Sequence, residues 1–227
     1  MIETIDLVWH PRGAPARRVL DGVTLSVPAG SVTALLGRNG SGKTTLLRVL
    51  AGVLSPRSGV ARVAGEDVAR RPAAARAGVG FLPEENGIPD RATPLWHLRF
   101  HALLRGASRQ SADRIALTAL AVVGLETSAR VPMGTMSRGN RQRVAIARAM
   151  LCSPKVLLLD EPGAALDPAV AAVVGGLLRR RVCEGGTVLV ATHDPVWAGR
   201  WCDASVEMAG GRNAQDAAGE TPGGETP

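Results

Sequence analysis

GRNGSGKT, residues 37–44, follows the apolar run SVTALL and opens the helical pattern TLLRVLAGVL. A strand, a glycine-rich loop and a helix in that order, with the spacing G-x-x-x-x-G-K-[ST], form a phosphate cradle. Glycines at 37, 40 and 42 let successive backbone N–H groups, with those of Asn39 and Ser41, turn inward around an anion, and the helix N-terminus adds positive potential. Lys43 is expected to reach the outer phosphates and the Thr44 hydroxyl to bind Mg²⁺, with Thr45 beside it in the first helical turn.

Outward from this loop the chain alternates. ETIDLVW, RRVLDGVTLSV and SVTALL read as short strands, SGVARVAGEDV as a hairpin and GVGFL as another strand. The polar loop PEENGIPDRATP then leads into a helical stretch from Thr93, an N-cap followed by Pro94, to Gly124, broken near Gly106. After the helix that begins in MSRGNRQRVAIARAM come the strand KVLLLDEP, a helix from about Pro168 to Cys183 and the strand TVLVATHD. Apolar strands alternating with helices predict a mainly parallel sheet covered on both faces. The expected division is a core of residues 1–84 and 141–211, a helical insert at 85–140, and a disordered tail at 212–227, which is rich in Gly, Pro and small polar residues.

Composition excludes several classes. The 227 residues are 45% hydrophobic, enough for one elaborated domain, and no apolar run reaches the roughly eighteen residues of a membrane span. A soluble, cytosolic chain is expected. Cys152, Cys183 and Cys202 lack ligand spacing and are read as buried or idle thiols. The net charge is +7, but the basic residues are scattered and, apart from Lys43 and Lys155, all arginine. With no Tyr and only two Phe there is no aromatic ladder for stacking bases, so no nucleic-acid partner is expected.

Asp160 ends the apolar strand VLLL and supplies a second anchor for a metal, since ligands of open parallel sheets bind beyond the carboxyl ends of strands. Glu161, one residue further, is placed to take a proton from an attacking water. Ser137 and Gly139 open a helix that is otherwise apolar, and their hydroxyl and N–H groups make a second anion site.

The order of these motifs resembles the nucleotide-binding subunit of ABC transporters, from about residue 1 to residue 211. The resemblance implies a P-loop ATPase of the ABC class: an α/β fold with a mainly parallel core, an N-terminal antiparallel β-subdomain and an inserted helical subdomain. It implies ATP and Mg²⁺ as ligands, Ser137-Arg138-Gly139 as the signature loop, Ala165-Leu166-Asp167 as the D-loop, and His193 at the γ-phosphate and the attacking water. Trp9 falls where the family stacks an aromatic on adenine, although the intervening PRGAPARR lengthens the interval to the phosphate loop. Because the chain already has a complete phosphate loop, a second anion site is surplus in one monomer. Two copies in the family's head-to-tail sandwich would set each Ser137 against the nucleotide on the other chain's Lys43.

MSRGN stands where many relatives have LSGGQ, and Glu84 stands where most have glutamine beside the metal. Both spellings resemble the ABC-2-type exporter subset. At about 4 Å and an effective dielectric near 20, a carboxylate and a phosphate repel by on the order of 4 kcal/mol, so Mg²⁺ must lie between them or Glu84 must point away. The resemblance implies a homodimer that powers a separate membrane permease, an exporter, at the inner face of the cell membrane. The alternative is a soluble ABC protein acting on nucleic acid or ribosomes. Trp96 and Phe100, four apart in the insert, are read as a core stripe rather than as part of a docking groove.

Overall fold

The computed structural model describes residues 1–85, 87–163 and 166–213. Its strands are β1 (Ile2–Trp9), β2 (Leu20–Val27), β3 (Val32–Leu36), β4 (Ser58–Val63), β5 (Glu66–Asp67), β6 (Val79–Leu82), β7 (Val156–Asp160), β8 (Thr187–Thr192), β9 (Ala204–Ala209) and β10 (Arg212–Asn213). Its helices are α1 (Lys43–Leu50), α2 (Pro72–Ala77), α3 (Pro94–Leu104), α4 (Arg109–Val122), α5 (Arg138–Met150), α6 (Pro168–Cys183) and α7 (Pro195–Trp201).

The strands build two sheets. A six-stranded sheet runs β10-β9-β3-β8-β7-β6, and an antiparallel sheet runs β2-β1-β4-β5. In the larger sheet β3 pairs in parallel with β8 and β9, and β7 with β6 and β8; only β10 is antiparallel. Parallel strands need crossover helices, which cover both faces and leave the strands no polar side. Every residue of β7 and β8 is accordingly buried.

Strand alternation divides the interior in two. Leu157, Leu159, Val188 and Val190 face α5, α6 and the insert, whereas Leu158, Leu189 and Ala191 face α1 and the antiparallel sheet. The phosphate loop lies at the edge of the second layer. Thr93 caps α3 by accepting from Trp96 N at 3.3 Å, with Pro94 in the first turn, as its position in the sequence predicts.

Three expectations are corrected. The segment 212–227 does not begin as a tail: Arg212 and Asn213 form β10, paired with Ala209 and Met208; residues 214–227 lie outside the described residues. The boundary between residues 140 and 141 falls inside α5, because Ser137 caps a helix that runs unbroken to Met150. The three cysteines do not contradict the reading as buried or idle thiols: Cys152 and Cys183 are exposed, Cys202 is half-buried, and all three are free. Finally, Trp96 and Phe100 are 52% and 43% exposed, because α3 turns Pro94, Leu98 and Ala102 to the interior. Their rings stack on the surface, centroids 5.5 Å apart.

Candidate active site

The carboxyl end of β3 feeds the phosphate loop, and α1 starts at Lys43. Two glycines are required by what surrounds them. A Cβ on Gly37 would lie 2.4 Å from the Met208 carbonyl oxygen, and one on Gly42 (φ 104°) would lie 2.8 Å from that of Val19. The loop is thus wedged between the start of β2 and the β9–β10 hairpin. Lys43 is buried and folded back over it, donating from Nζ to the carbonyls of Gly37 (2.6 Å) and Arg38 (3.2 Å).

Around the loop lies a cavity of about 340 Å³ whose walls include Asn39, Gly40, Ser41, Gly42, Lys43, Thr44 and Thr45, with Glu84, Asp160 and Glu161 opposite. Thr44 donates its hydroxyl hydrogen to the Asp160 carboxylate. Asp160 is 2% exposed and its Oδ2 has no hydrogen-bond partner among the described residues; neither has the buried Ser41 Oγ. Burial first, and then the charges of Glu84 and Glu161, push the Asp160 carboxyl from an ordinary 3.8 to about 6. An orphaned carboxylate oxygen beside a threonine hydroxyl and the exposed carboxylate of Glu84 suits a hard cation that takes oxygen ligands. No three His, Cys, Asp or Glu side chains among the described residues gather tightly enough to hold a metal by themselves.

The folded chain holds the Asp160 proton more tightly than the unfolded chain does. The nucleotide-free protein therefore loses stability as pH rises from about 4 through about 6, and the loss is complete above that. Asp160→Asn is expected to remove a cost on the order of 3 kcal/mol at pH 8 and almost none at pH 4. Thermal melts of the nucleotide-free variant and parent at the two pH values check this. An equal difference at both would show that Asp160 folds without a displaced proton equilibrium.

Glu161 follows β7 with φ 48°, a left-handed conformation that non-glycine residues adopt at a cost of roughly 1–3 kcal/mol. Its amide donates to Ala191 O at 2.9 Å, extending the ladder to β8. Its carboxylate is held on both oxygens: Oε1 accepts from His193 Nδ1 at 2.8 Å and Oε2 from Thr192 Oγ1 at 3.2 Å. His193 sits between β8 and α7, where Asp194 caps α7 through the amides of Val196 and Trp197. The result is an oriented carboxylate at the rim of the phosphate cavity, able to accept a proton and pass charge to an imidazole.

Ser137 caps α5, its Oγ accepting from Asn140 N at 3.2 Å, and is exposed. Neither Ser137 nor Gly139 lines the chain's own phosphate cavity. A Cβ on Gly139 would meet Val170 at 3.6 Å, so this lip lies against the start of α6, which Asp167 caps through the amides of Ala169 and Val170. Gln142 donates to Pro162 O at 3.2 Å and ties α5 to the turn after Glu161. Ala165 of the expected D-loop lies outside the described residues. Trp9 does not line the phosphate cavity; it packs half-buried on the hydrophobic layer below β1, and Val19, whose amide donates to Trp9 O at 3.0 Å, lines the wall instead. Neither Val19 nor the β9–β10 hairpin carries a motif, and local spacing does not reveal them.

The family model described as ABC transporter matches residues 20–164. Rat ATP-binding cassette sub-family A member 7 is 34% identical over 212 residues, 93% of this chain, and the chain spans only 10% of that relative's length. The lipoprotein-releasing system ATP-binding protein LolD of Chromohalobacter salexigens is 36% identical over 208 residues, 88% of this chain and 86% of the relative. Among solved structures, a dimeric bacterial ABC transporter cassette superposes with a TM-score of 0.85 at 25% identity, covering 94% of this chain and 97% of the other. With its phosphate loop, the Asp160-Glu161 strand end and the capped Ser137 lip in one fold, the chain belongs to the ABC transporter family and is an ABC ATPase cassette.

Proposed function

We propose that this chain binds ATP with Mg²⁺, pairs head-to-tail with a second copy of itself, and spends hydrolysis on driving a separate membrane permease, an exporter. The observation that carries the reading is that neither Ser137 nor Gly139 lines the chain's own phosphate cavity, while Met136 and Arg138 beside them border an adjoining cavity of about 550 Å³ with Asn39, Glu161 and His193. A two-fold partner supplies the missing wall, each chain's phosphates then lying between its own Lys43 and the partner's Ser137 and Gly139. A solved relative is a dimeric cassette, and LolD is the ATP-binding protein of a lipoprotein-releasing system.

In this reading Lys43 and the loop amides from Asn39 to Thr45 bind the phosphates, and Trp9, next to Val19, stacks on adenine. Thr44, Asp160 and Glu84 hold Mg²⁺, which supplies charge neutralisation at the phosphates. Lys43 releases the Gly37 and Arg38 carbonyls as the phosphates arrive. Glu161 takes the proton of the attacking water, His193 keeps that carboxylate oriented toward the γ-phosphate, and Asp167 holds the D-loop at the two-fold interface.

The permease docks on the insert. Trp96, Phe100 and the 67% exposed Leu104 lie on one stripe of α3. Leu104 borders a groove of about 670 Å³ whose lining includes the apolar Val53 and Phe81 and the basic Arg76 and Arg105. No helix among the described residues is long and apolar enough to cross a membrane. In this reading a separate permease carries the exporter's spans, and the cassette works at the inner face of the membrane.

Affinity purification of the tagged chain from detergent-solubilised source membranes with ATP and Mg²⁺, followed by mass spectrometry, tests this. A multi-span membrane protein in stoichiometric yield is expected. Trp96→Ser with Phe100→Ser should lower its recovery by about tenfold or more while the isolated chain hydrolyses ATP at the parent rate. Recovery of soluble partners or nucleic acid alone would overturn the transporter reading in favour of a soluble ABC protein.

A further inference from the structure

The phosphate loop is anchored at both ends by β3 and α1, but its amides bind phosphate only if the middle keeps its pose. A hydrogen-bond chain runs from Ser41 to Asp21 of β2, which does not itself line the cavity. Gly211 N donates to Ser41 O at 3.1 Å, and Gly211 O accepts from Asp21 N at 2.9 Å. A Cβ on Gly211 (φ 83°) would lie 2.5 Å from Val19 O, so only glycine fits between the loop and β2. The next residue closes the circuit: Arg212 Nε and Nη2 both donate to Asp21 Oδ2, at 3.1 and 2.9 Å, while Arg18 Nη1 donates to Oδ1 at 2.7 Å.

We propose that Asp21 and Arg212 are positioning residues for the phosphate loop. Their ion pair locks the Gly211 peptide in place, and the Gly211–Ser41 hydrogen bond passes that rigidity to the loop amides. The pair is only partly exposed, 20% for the Asp21 side chain and 37% for Arg212, and a charge-assisted contact through two N–H groups fixes direction as well as distance. Arg18 and Arg212 together hold the Asp21 carboxyl below its usual range, the direction expected of a carboxylate kept ionised by both. That Ser41 and Lys43 bind phosphate rests on the reading above; the mechanical coupling is independent of it.

Amide hydrogen exchange on the nucleotide-free chain, read by mass spectrometry, tests the coupling directly. In Arg212→Met the peptide covering residues 36–45 should exchange about tenfold faster while β8 and α5 are unchanged. Asp21→Asn, which weakens both arginine contacts, should accelerate it further. In steady-state hydrolysis Arg212→Met should raise KM for ATP about tenfold with kcat within about twofold, because Glu161 and His193 do not touch the strut. Arg212→Lys, which keeps the charge, should recover part of both losses. Unchanged exchange in the loop, or faster exchange throughout the chain in proportion, would overturn the proposal. If exchange responds locally but the parent itself binds no ATP, the coupling stands and the ATPase reading falls.

Discussion

Glu161→Gln slows ATP hydrolysis by on the order of 10²–10⁴-fold and leaves ATP affinity within about threefold of the parent. The substitution is nearly isosteric and retains an oxygen to accept from His193 Nδ1 or Thr192 Oγ1, so the geometry of the rim survives. What disappears is the carboxylate proposed to take the proton of the attacking water. Lys43 and the loop residues proposed to contact the phosphates are unchanged by the substitution, so equilibrium binding is expected to survive it. Phosphate release under saturating ATP, together with direct nucleotide binding, checks both halves. Hydrolysis at the parent rate would remove Glu161 from the role of general base, and an equal loss of binding and turnover would make it a binding residue.

Ser137→Arg is expected to abolish the proposed dimerisation on ATP and to take hydrolysis to background, while one chain still binds ATP with the parent affinity. Locally the substitution removes the α5 cap at Asn140 N, worth about 1 kcal/mol, which a well-packed helix body including the buried Val144, Ala145 and Ile146 absorbs. In the proposed head-to-tail dimer the large effect arises between chains, where a bulky side chain would occupy the space of the partner's nucleotide. Light scattering with Mg²⁺-ATP in the Glu161→Gln background, where turnover does not dissolve the dimer, separates the two. A Ser137→Arg chain that still dimerises on ATP would place the nucleotide away from the lip and sink the head-to-tail arrangement.

The residues of the candidate site were legible because they stand at the ends of strands. GRNGSGKT, the Asp160-Glu161 pair after VLLL, and His193 after TVLVAT each follow an apolar run that can only be a buried strand, and a parallel sheet brings all three ends to one edge. Ser137 caps α5 for a local reason: a small hydroxyl residue directly ahead of a helical run satisfies the first free amides wherever the helix lies.

Tertiary structure decided the rest. The sequence predicted neither the left-handed turn at Glu161 nor the grip of His193 on its carboxylate, since residues 161 and 193 meet only when β7 and β8 pair. Which stripe of α3 is buried depended on the surfaces packed against it, and so Trp96 and Phe100, an apolar pair at helical spacing, ended outside. Arg212 stood at the head of a stretch whose composition predicts disorder, yet it is joined to Asp21, 191 positions earlier. Spacing of 3.6 and 2 along the chain fixes helices, strands and the residues at their ends, because those depend on neighbours. In a chain where nearly every base is arginine, sequence does not specify which of them meets Asp21; that pairing exists only because β10 closes on the edge of β2 beside the phosphate loop.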